Sequence, residues 1–280
     1  MPAPITLLTD FGTDSFYVAA MKGAILSINP QTAIVDLTHS VTPQNVTQAA
    51  YLLDWTTSTF PAGTIHIAVV DPGVGTGRDI LLVEADGQYY LAPDNGLLSL
   101  IIARSDSVTI RKLDQPQYWR EDISSTFHGR DIFAPTAAHL SLGVPPEQLA
   151  TTLIPPDSII KLPLPAIKRT PNSITGQVIF IDSFGNAITN IRRDDLPTEI
   201  DLTKLTVTWQ NEKQSGDQTH SITGLVRTYH DANPGTPVAL FGSSGHLEIA
   251  VVDGSGGSNL GIATGCVVYV GDVQRTANSA

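Results

Sequence analysis

The chain changes character at one proline-rich segment, and this change constrains the fold more than any other feature. Before it, short β-rich runs alternate with segments whose apolar residues recur at helical spacing, as in ITLLTD followed by SFYVAAMKGAILSI. Such alternation predicts a mainly parallel sheet with helices on its faces. After it, short strand-like runs are separated by Gly, Asn, Ser and Asp. That pattern predicts a smaller all-β, barrel-like or sandwich domain.

The proline-rich segment IPPDSIIKLPLPAIKRTPNS contains five prolines and little periodicity, which favours a linker. We therefore predict an α/β domain over residues 1–160, a linker over residues 161–172 and a β domain over residues 173–280. The 280 residues suit two domains, and the 41% of hydrophobic residues is enough for a core in each.

Charge and cysteine content exclude several classes of protein. Lys and Arg number 16 against 27 Asp and Glu, so the formal net charge is −11. An acidic chain without a basic stripe argues against binding to nucleic acid or an anionic membrane. No apolar run is long enough to span a bilayer. The single cysteine, Cys266, rules out an intramolecular disulfide. With no recognisable secretory signal, we expect a cytoplasmic protein.

One loop is rich in glycine and follows a strand-like run. In IHIAVVDPGVGTGRD the run ends at Asp71, and Gly73, Gly75 and Gly77 precede Arg78. A Walker A loop needs a lysine and a following helix, and a dinucleotide fingerprint also needs the helix. This loop has no lysine and leads into a predicted hairpin strand. The glycines therefore either turn the backbone sharply beside a ligand or form an empty surface loop.

Four β-like runs end in aspartate, at Asp10, Asp36, Asp71 and Asp182. Ligands of open α/β sheets bind at the carboxyl ends of strands, so the first three could converge on one crevice. Aspartate is also common where strands give way to turns, and Asp36 in particular has mainly a structural interpretation.

A histidine lies in a second candidate segment, STFHGRDIF. His128 is either a proton carrier or an ordinary loop histidine. Arg130 and Asp131 are expected to begin a helix, with Asp131 complementing the helix dipole. The histidines show no paired ligand spacing and there is no cysteine cluster, so a zinc site has weak support.

Six motifs occur in a fixed order: LLTDFGTDSFYVAAMKG, VVDPGVGTGR, APDNGLL, FHGRDIFAP, IDSFGNAITNI and GSSGHLEIA. With these motifs the chain resembles the S-adenosylmethionine hydroxide adenosyltransferase family over nearly its whole length. Members hydrolyse S-adenosylmethionine (SAM) to adenosine and methionine and are related to fluorinases and chlorinases. The resemblance implies an α/β domain followed by a β domain, and no cofactor or metal beyond the substrate SAM. It also implies a homotrimer in which SAM lies between one subunit's N-terminal domain and its neighbour's C-terminal domain.

The resemblance also assigns roles to individual residues. A catalytic set around the attacking water would be Asp71, Arg78 and His128. Substrate contacts would come from residues that bind the ribose diol, the nucleoside and the methionine portion: Asp10, Phe127, Asp182, Asn186 and Ser243. Asp10 would hold the ribose, Asp182 the ammonium and Ser243 the carboxylate. The glycine loop would then hold Asp71 and Arg78 beside C5′ of SAM.

Some positions depart from the family pattern or separate its branches. Ser15 stands where many members have aspartate, and Gln44 where fluorinases have a tryptophan. Gly129 and Asp71 stand where fluorinases have a serine and a tyrosine, which favours water over halide as the nucleophile. Three alternatives remain open: a SAM-dependent halogenase, a non-catalytic SAM or adenosine sensor, and a metal-dependent hydrolase that uses Asp10, Asp71 and His128.

Overall fold

The computed structural model describes residues 3–171, 173–210 and 219–272. The chain divides into two compact units, Met1–Pro163 and Leu164–Ala280. The segment 273–280, which belongs to the predicted β domain, lies outside the described residues. No helix in the described ranges combines the length and apolarity needed to cross a membrane.

The N-terminal unit contains a seven-stranded sheet in the order β2-β1-β3-β5-β4-β6-β7. Its strands are β1 Ile5–Thr9, β2 Ile34–Thr38, β3 Ile65–Val69, β4 Ile80–Ala85, β5 Gln88–Pro93, β6 Val108–Lys112 and β7 Thr152–Leu153. The pairs β1/β2, β1/β3 and β3/β5 are parallel, and the remaining pairs are antiparallel. The predicted α/β fold class is confirmed, with a mixed sheet whose parallel strands lie at one side.

Helices cover both faces of this sheet, at α1 Phe16–Ile28, α2 Val46–Thr57, α3 Ser99–Arg104, α4 Ala134–Ser141 and α5 Pro146–Leu149. One apolar cluster joins α1 and α4 to the face that carries Ile5 and Leu7. The other joins α2 and α3 to the face that carries Leu8. Because both faces are buried, β1 and β3 consist entirely of buried residues and show no alternation with polar residues.

The Asp-Gly turn between β4 and β5 forms the predicted hairpin. Asp86 and Gly87 have φ angles of 48° and 76°, the left-handed conformation that a two-residue turn requires. The strands pair antiparallel, with Val83 opposite Tyr90. The strand β5 pairs parallel with β3 and antiparallel with β4, so the parallel and antiparallel parts of the sheet meet at β5. In sequence, the hairpin directly follows the glycine loop.

The C-terminal unit is an eight-stranded antiparallel sheet in the order β12-β11-β15-β9-β10-β14-β13, with β8 paired to β9. Its strands are β8 Lys168–Arg169, β9 Ser173–Ile181, β10 Ala187–Arg192, β11 Leu205–Gln210, β12 Thr219–Thr223, β13 Pro237–Phe241, β14 His246–Val251 and β15 Val267–Asp272. The edge strands β12 and β13 approach each other. The sheet therefore nearly closes around a core that includes Trp209, as the barrel-like prediction required.

The Gly- and Ser-rich composition of DGSGGSNLG, residues 253–261, predicts a flexible loop, and this prediction is wrong. The segment contains a short helix, α6 Gly256–Leu260. The Ser255 side chain accepts a hydrogen bond from the Ser258 backbone at 3.2 Å, and Gly261 ends the helix with a φ of 64°. A serine N-cap and a left-handed glycine define both ends of a helix despite its glycine content.

We expect the N-terminal unit to lose stability in mild acid because of His66. This residue is fully buried, and burial lowers its pKa to about 4. The unfolded chain then binds more protons than the folded chain between pH 6.5 and 4, so the stability present above pH 6.5 falls towards pH 4. Between pH 7.5 and 5 the loss is about 2 kcal/mol.

Urea unfolding at pH 7.5 and 5 measures this effect. His66→Gln, which does not titrate, should lose less stability on acidification, whereas the matched change at the exposed His230 should behave like the wild type. An equal acid loss in the wild type and His66→Gln would contradict the assignment.

Candidate active site

A cavity of about 230 Å³ lies in the N-terminal unit, at the carboxyl ends of β1 and β3. Asp10 follows β1, Asp71 follows the run that contains β3, and both line the cavity with His128. Two of the strand-end aspartates therefore converge. Asp36 does not line it: its carboxylate lies 2.6 Å from Lys22 Nζ and 3.1 Å from His39 Nε2, in agreement with its structural interpretation.

Asp71 and Arg78 form a buried ion pair across the glycine loop. Arg78 Nε donates to Asp71 Oδ1 at 2.8 Å, and a second guanidinium nitrogen donates to Oδ2. Their side chains are only 7% (Arg78) and 4% (Asp71) exposed. Two parallel charge-assisted hydrogen bonds give the pair a defined geometry. The backbone N–H of Gly73 donates to the same carboxylate at 3.2 Å, so the loop closes around Asp71.

His128 is the third member of this arrangement. Arg78 Nη2 lies 3.3 Å from His128 Nδ1. A guanidinium can only donate, so Nδ1 must accept and the hydrogen of the neutral ring lies on Nε2. Burial and the charge of Arg78 lower the pKa of His128, although Asp71 and Asp131 oppose the shift. The ring is therefore neutral near pH 7, and its Nε2–H is a donor.

Two glycines allow the close approach of the segments around the cavity. Gly75 has a φ of 78°, and a side chain there would clash with the carbonyl oxygen of Ser125. The glycine loop thus lies directly on the segment that precedes His128. At Gly129 a Cβ atom would lie 3.1 Å from the sulfur of Met21 and 3.4 Å from the ring of Phe127. The absence of a side chain at Gly129 therefore lets α1 pack against this wall of the site.

Asp131 lies in the first helical turn, as the sequence predicts, and its carboxylate also has partners that the motif did not indicate. Gly129–Phe133 forms a turn of π-helix before α4, and Asp131 is fully buried within it. Its carboxylate accepts from the Ser124 backbone at 2.8 Å and from Arg130 Nε at 2.6 Å, and Arg120 Nε lies 3.3 Å away. Asp131 therefore closes the loop that carries His128, which is a role beyond the interaction with the helix dipole.

The expected nucleoside residues lie in the same unit. Asp10 Oδ2 accepts from the Gln44 backbone at 2.8 Å, and Gln44 has a left-handed φ of 64°. Gln44, which stands where fluorinases have a tryptophan, therefore contacts Asp10 through its backbone. Phe127 packs edge to face against Phe11 and Tyr17, with ring centroids 5.9 and 4.9 Å apart. These contacts form an aromatic wall beside the cavity.

The expected methionine residues lie in the C-terminal unit. Asp182 follows β9, and its Oδ1 accepts from the backbones of Phe184 and Asn186 at 2.9 and 2.8 Å. Asn186 Nδ2 donates to Asp182 Oδ2 at 3.1 Å. Ser243 lies between β13 and β14, in the turn that the hydrogen bond from Gly245 N to Gly242 O closes. The structure thus brings Asp182 and Asn186 into contact and places Ser243 in a separate turn of the same unit.

Two further polar residues contact this set and were missed in the sequence. Tyr229 donates to Glu248 Oε2 at 2.7 Å and accepts from Asn186 Nδ2 at 3.3 Å. Burial raises the pKa of Glu248, and Asp182 raises it further, although the hydrogen bond from Tyr229 opposes this. The glutamate within the apolar strand HLEIAV was a usable signal, because a carboxylate in a fully buried strand needs a partner.

Comparisons with known proteins agree with these motifs. The family models for the SAM hydroxide adenosyltransferase N-terminal and C-terminal domains match residues 5–150 and 176–269. An (R)-S-adenosyl-L-methionine hydrolase of Thermus thermophilus is 37% identical, with 95% of this chain and 98% of that protein covered. A fluorinase of an Actinoplanes species is 31% identical over 88% of this chain and 90% of that protein.

A solved structure of an uncharacterized conserved protein from Thermotoga maritima matches with a TM-score of 0.86 and 33% identity. The match covers 95% of this chain and 99% of that protein.

Proposed function

The chain belongs to the SAM hydroxide adenosyltransferase family, and we propose that it hydrolyses SAM to adenosine and L-methionine. The curated relatives named as SAM hydrolases confirm the enzyme class predicted from the sequence. The observation that carries the proposal is that Asp71 and His128 line one cavity and that Arg78 contacts both of them. No metal or further cofactor takes part in the proposed reaction.

The proposed step is a substitution at C5′ of the ribose. The oxygen of water forms a bond to C5′ while the C5′–S bond breaks and its electron pair goes to sulfur. The sulfonium becomes the neutral thioether of methionine, so the leaving group needs no general acid. The water must lose a proton, which passes to the protein or the solvent.

Arg78 and His128 supply the groups that favour loss of this proton. Arg78 is charged at every relevant pH, so its field favours hydroxide over water. Arg78 also holds His128 Nδ1 as an acceptor, which leaves Nε2–H to hold the oxygen nucleophile. Asp71 fixes the guanidinium and lines the cavity, where it orients the water. A pocket that excludes bulk water further favours attack of an anion on a cation.

The substrate contacts follow from the two sets of residues. In the N-terminal unit, Asp10 would accept from both ribose hydroxyls and Phe127 would pack against the nucleoside. In the C-terminal unit, Asp182 and Asn186 would bind the ammonium end of methionine and Ser243 its carboxylate.

We also propose a homotrimer with sites shared between subunits, as the resemblance implies. Two observations support it: the expected binding residues are divided between the two units, and Phe16 and Phe184 are 64% and 78% exposed. Light scattering measures the assembly. Mixed Asp71→Asn and Asp182→Ala subunits should recover activity that neither has alone, and a fully active monomer would reject the proposal. A cytoplasmic location stays a prediction from the sequence.

The reaction is tested by incubating purified protein with SAM in the presence and absence of EDTA and of excess chloride or fluoride. We expect adenosine and L-methionine at equal rates in chelator, without 5′-halo-5′-deoxyadenosine. Asp71 would repel a halide, and Gly129 offers it no hydroxyl donor. Bound but unchanged SAM would indicate a sensor, and activity lost in EDTA and restored by a divalent ion would indicate a metal-dependent hydrolase. Halogenated product would indicate a halogenase.

The catalytic roles predict a separation of turnover from binding. Asp71→Asn and His128→Ala should lower kcat by about 10²- to 10⁴-fold, because these groups act on water, while the SAM affinity measured by calorimetry changes little. Because the pKa of His128 is lowered, wild-type activity should persist below pH 6.5, its ordinary value.

Asp114→Asn is the matched control for these variants. This carboxylate of the same unit accepts hydrogen bonds from Thr151 and Thr152, and it does not line the cavity. The kcat of Asp114→Asn should equal the wild-type value. Normal turnover by Asp71→Asn, or loss of SAM binding in it, would contradict the assigned roles.

A further inference from the structure

Two polar side chains of the C-terminal unit, Asn186 and Glu248, each have one oxygen that is available to accept a hydrogen bond from a ligand. Their residues are 7% and 8% exposed. Asn186 bonds through Nδ2 and Glu248 through Oε2, and among the described residues no donor reaches Asn186 Oδ1 or Glu248 Oε1. Asn186 Oδ1 and Glu248 Oε1 are therefore available acceptors, and a group rich in hydrogen-bond donors would suit this place.

The directions of the hydrogen bonds determine which atom of Asn186 is available. Its Nδ2 donates to Asp182 Oδ2 at 3.1 Å and to the Tyr229 hydroxyl at 3.3 Å. The single hydrogen of the phenol goes to Glu248 at 2.7 Å, so the hydroxyl can only accept from the amide. Burial and Glu248 raise the pKa of Tyr229, which keeps this hydrogen in place. Both amide hydrogens are thus used, and the carbonyl oxygen is left for a ligand.

Glu248 also contacts the second expected methionine segment. A Cβ atom at Gly242 would overlap the Glu248 carboxylate, so any larger residue there would displace this carboxylate. Gly242 directly precedes Ser243. Glu248 therefore lies beside the turn that carries Ser243, and its hydrogen bond to Tyr229 connects it to Asn186.

We propose that Glu248 and Tyr229 are positioning residues that hold the Asn186 carbonyl oxygen towards the α-ammonium group of the methionine portion of SAM. This inference rests on the proposed function. An ammonium group has three hydrogens to donate and no acceptor, so it suits a place that offers only acceptors and carries the negative charge of Asp182. A ligand without the amino group leaves these acceptors unpaired. The hydrogen bonds from Asn186 to Tyr229 and from Tyr229 to Glu248, here called the relay, therefore favour ligands that carry the amino group.

The test is the selectivity between L-methionine and 4-(methylthio)butanoic acid, which lacks the α-amino group, as competitive inhibitors of SAM hydrolysis. Tyr229→Phe should weaken inhibition by L-methionine about three- to tenfold and leave the amino-free acid unchanged. KM for SAM should rise while kcat stays close to the wild-type value. Glu248→Gln, whose amide oxygen still accepts from Tyr229, should lose less selectivity than Glu248→Ala.

Tyr269→Phe is the matched control. Tyr269 belongs to the same unit and is 43% exposed, close to the 40% of Tyr229. This variant should keep the wild-type selectivity. Unchanged selectivity in Tyr229→Phe, or equal weakening of both inhibitors, would overturn the proposal.

Two further measurements cover a failure of Tyr229→Phe to fold and a failure of the proposed function. If Tyr229→Phe does not fold, equal selectivity in Glu248→Ala and Glu248→Gln overturns the relay. Calorimetry gives the same ratio without turnover. A wild-type protein that binds L-methionine but does not hydrolyse SAM would thus reject the proposed function, while the ratio still decides on the relay.

Discussion

The buried ion pair of Asp71 and Arg78 is the interaction on which the N-terminal site depends. Two charges removed from water cost more than they return unless their geometry is good and their remaining hydrogen bonds are made. Here the guanidinium meets the carboxylate through two nitrogens, and the Gly73 backbone adds a third donor. The glycine loop thus brings Arg78 back into contact with Asp71 at the end of the strand, and this role does not involve a phosphate.

The ion pair also determines the state of His128. An arginine held in place by Asp71 presents an N–H to Nδ1, which fixes the tautomer and disfavours a second positive charge. Asp131 provides the other support, because it closes the chain segment that carries the histidine. Two carboxylates therefore constrain His128 in different ways. Asp71 acts through Arg78, and Asp131 acts through the backbone of the segment that carries the histidine.

The two units present complementary chemistry. In the N-terminal unit a guanidinium and a histidine N–H offer donors that suit an oxygen nucleophile. In the C-terminal unit Asp182, Asn186 and Glu248 offer acceptors that suit an ammonium group. In the proposed reaction, the first set would act on the water that attacks the reacting carbon of SAM, and the second set would bind its amino acid end.

Local patterns were sufficient for much of the architecture. Alternating strands and helices, an Asp-Gly hairpin and short strands after a proline-rich segment depend on periodicity and turn chemistry, which neighbouring residues determine. The same patterns did not reveal every contact or every element. Asp131 lies at a helix start as predicted, but the Ser124 backbone and two arginines also bind its carboxylate. The glycine-rich DGSGGSNLG forms a helix because its caps outweigh its low propensity.

The sequence by itself determined which residues stand at strand ends and in which order the motifs occur, since both follow from short stretches of chain. Only the tertiary structure decided which partner each charged group has. Asp36 meets Lys22 and His39, whereas Asp71 meets Arg78, although both end β-like runs. Glu248 reaches Asn186 through Tyr229 because β10 and β14 pair with Ile188 opposite Glu248. The contact of Glu248 depends on strand register between separate parts of the chain, which no local pattern specifies.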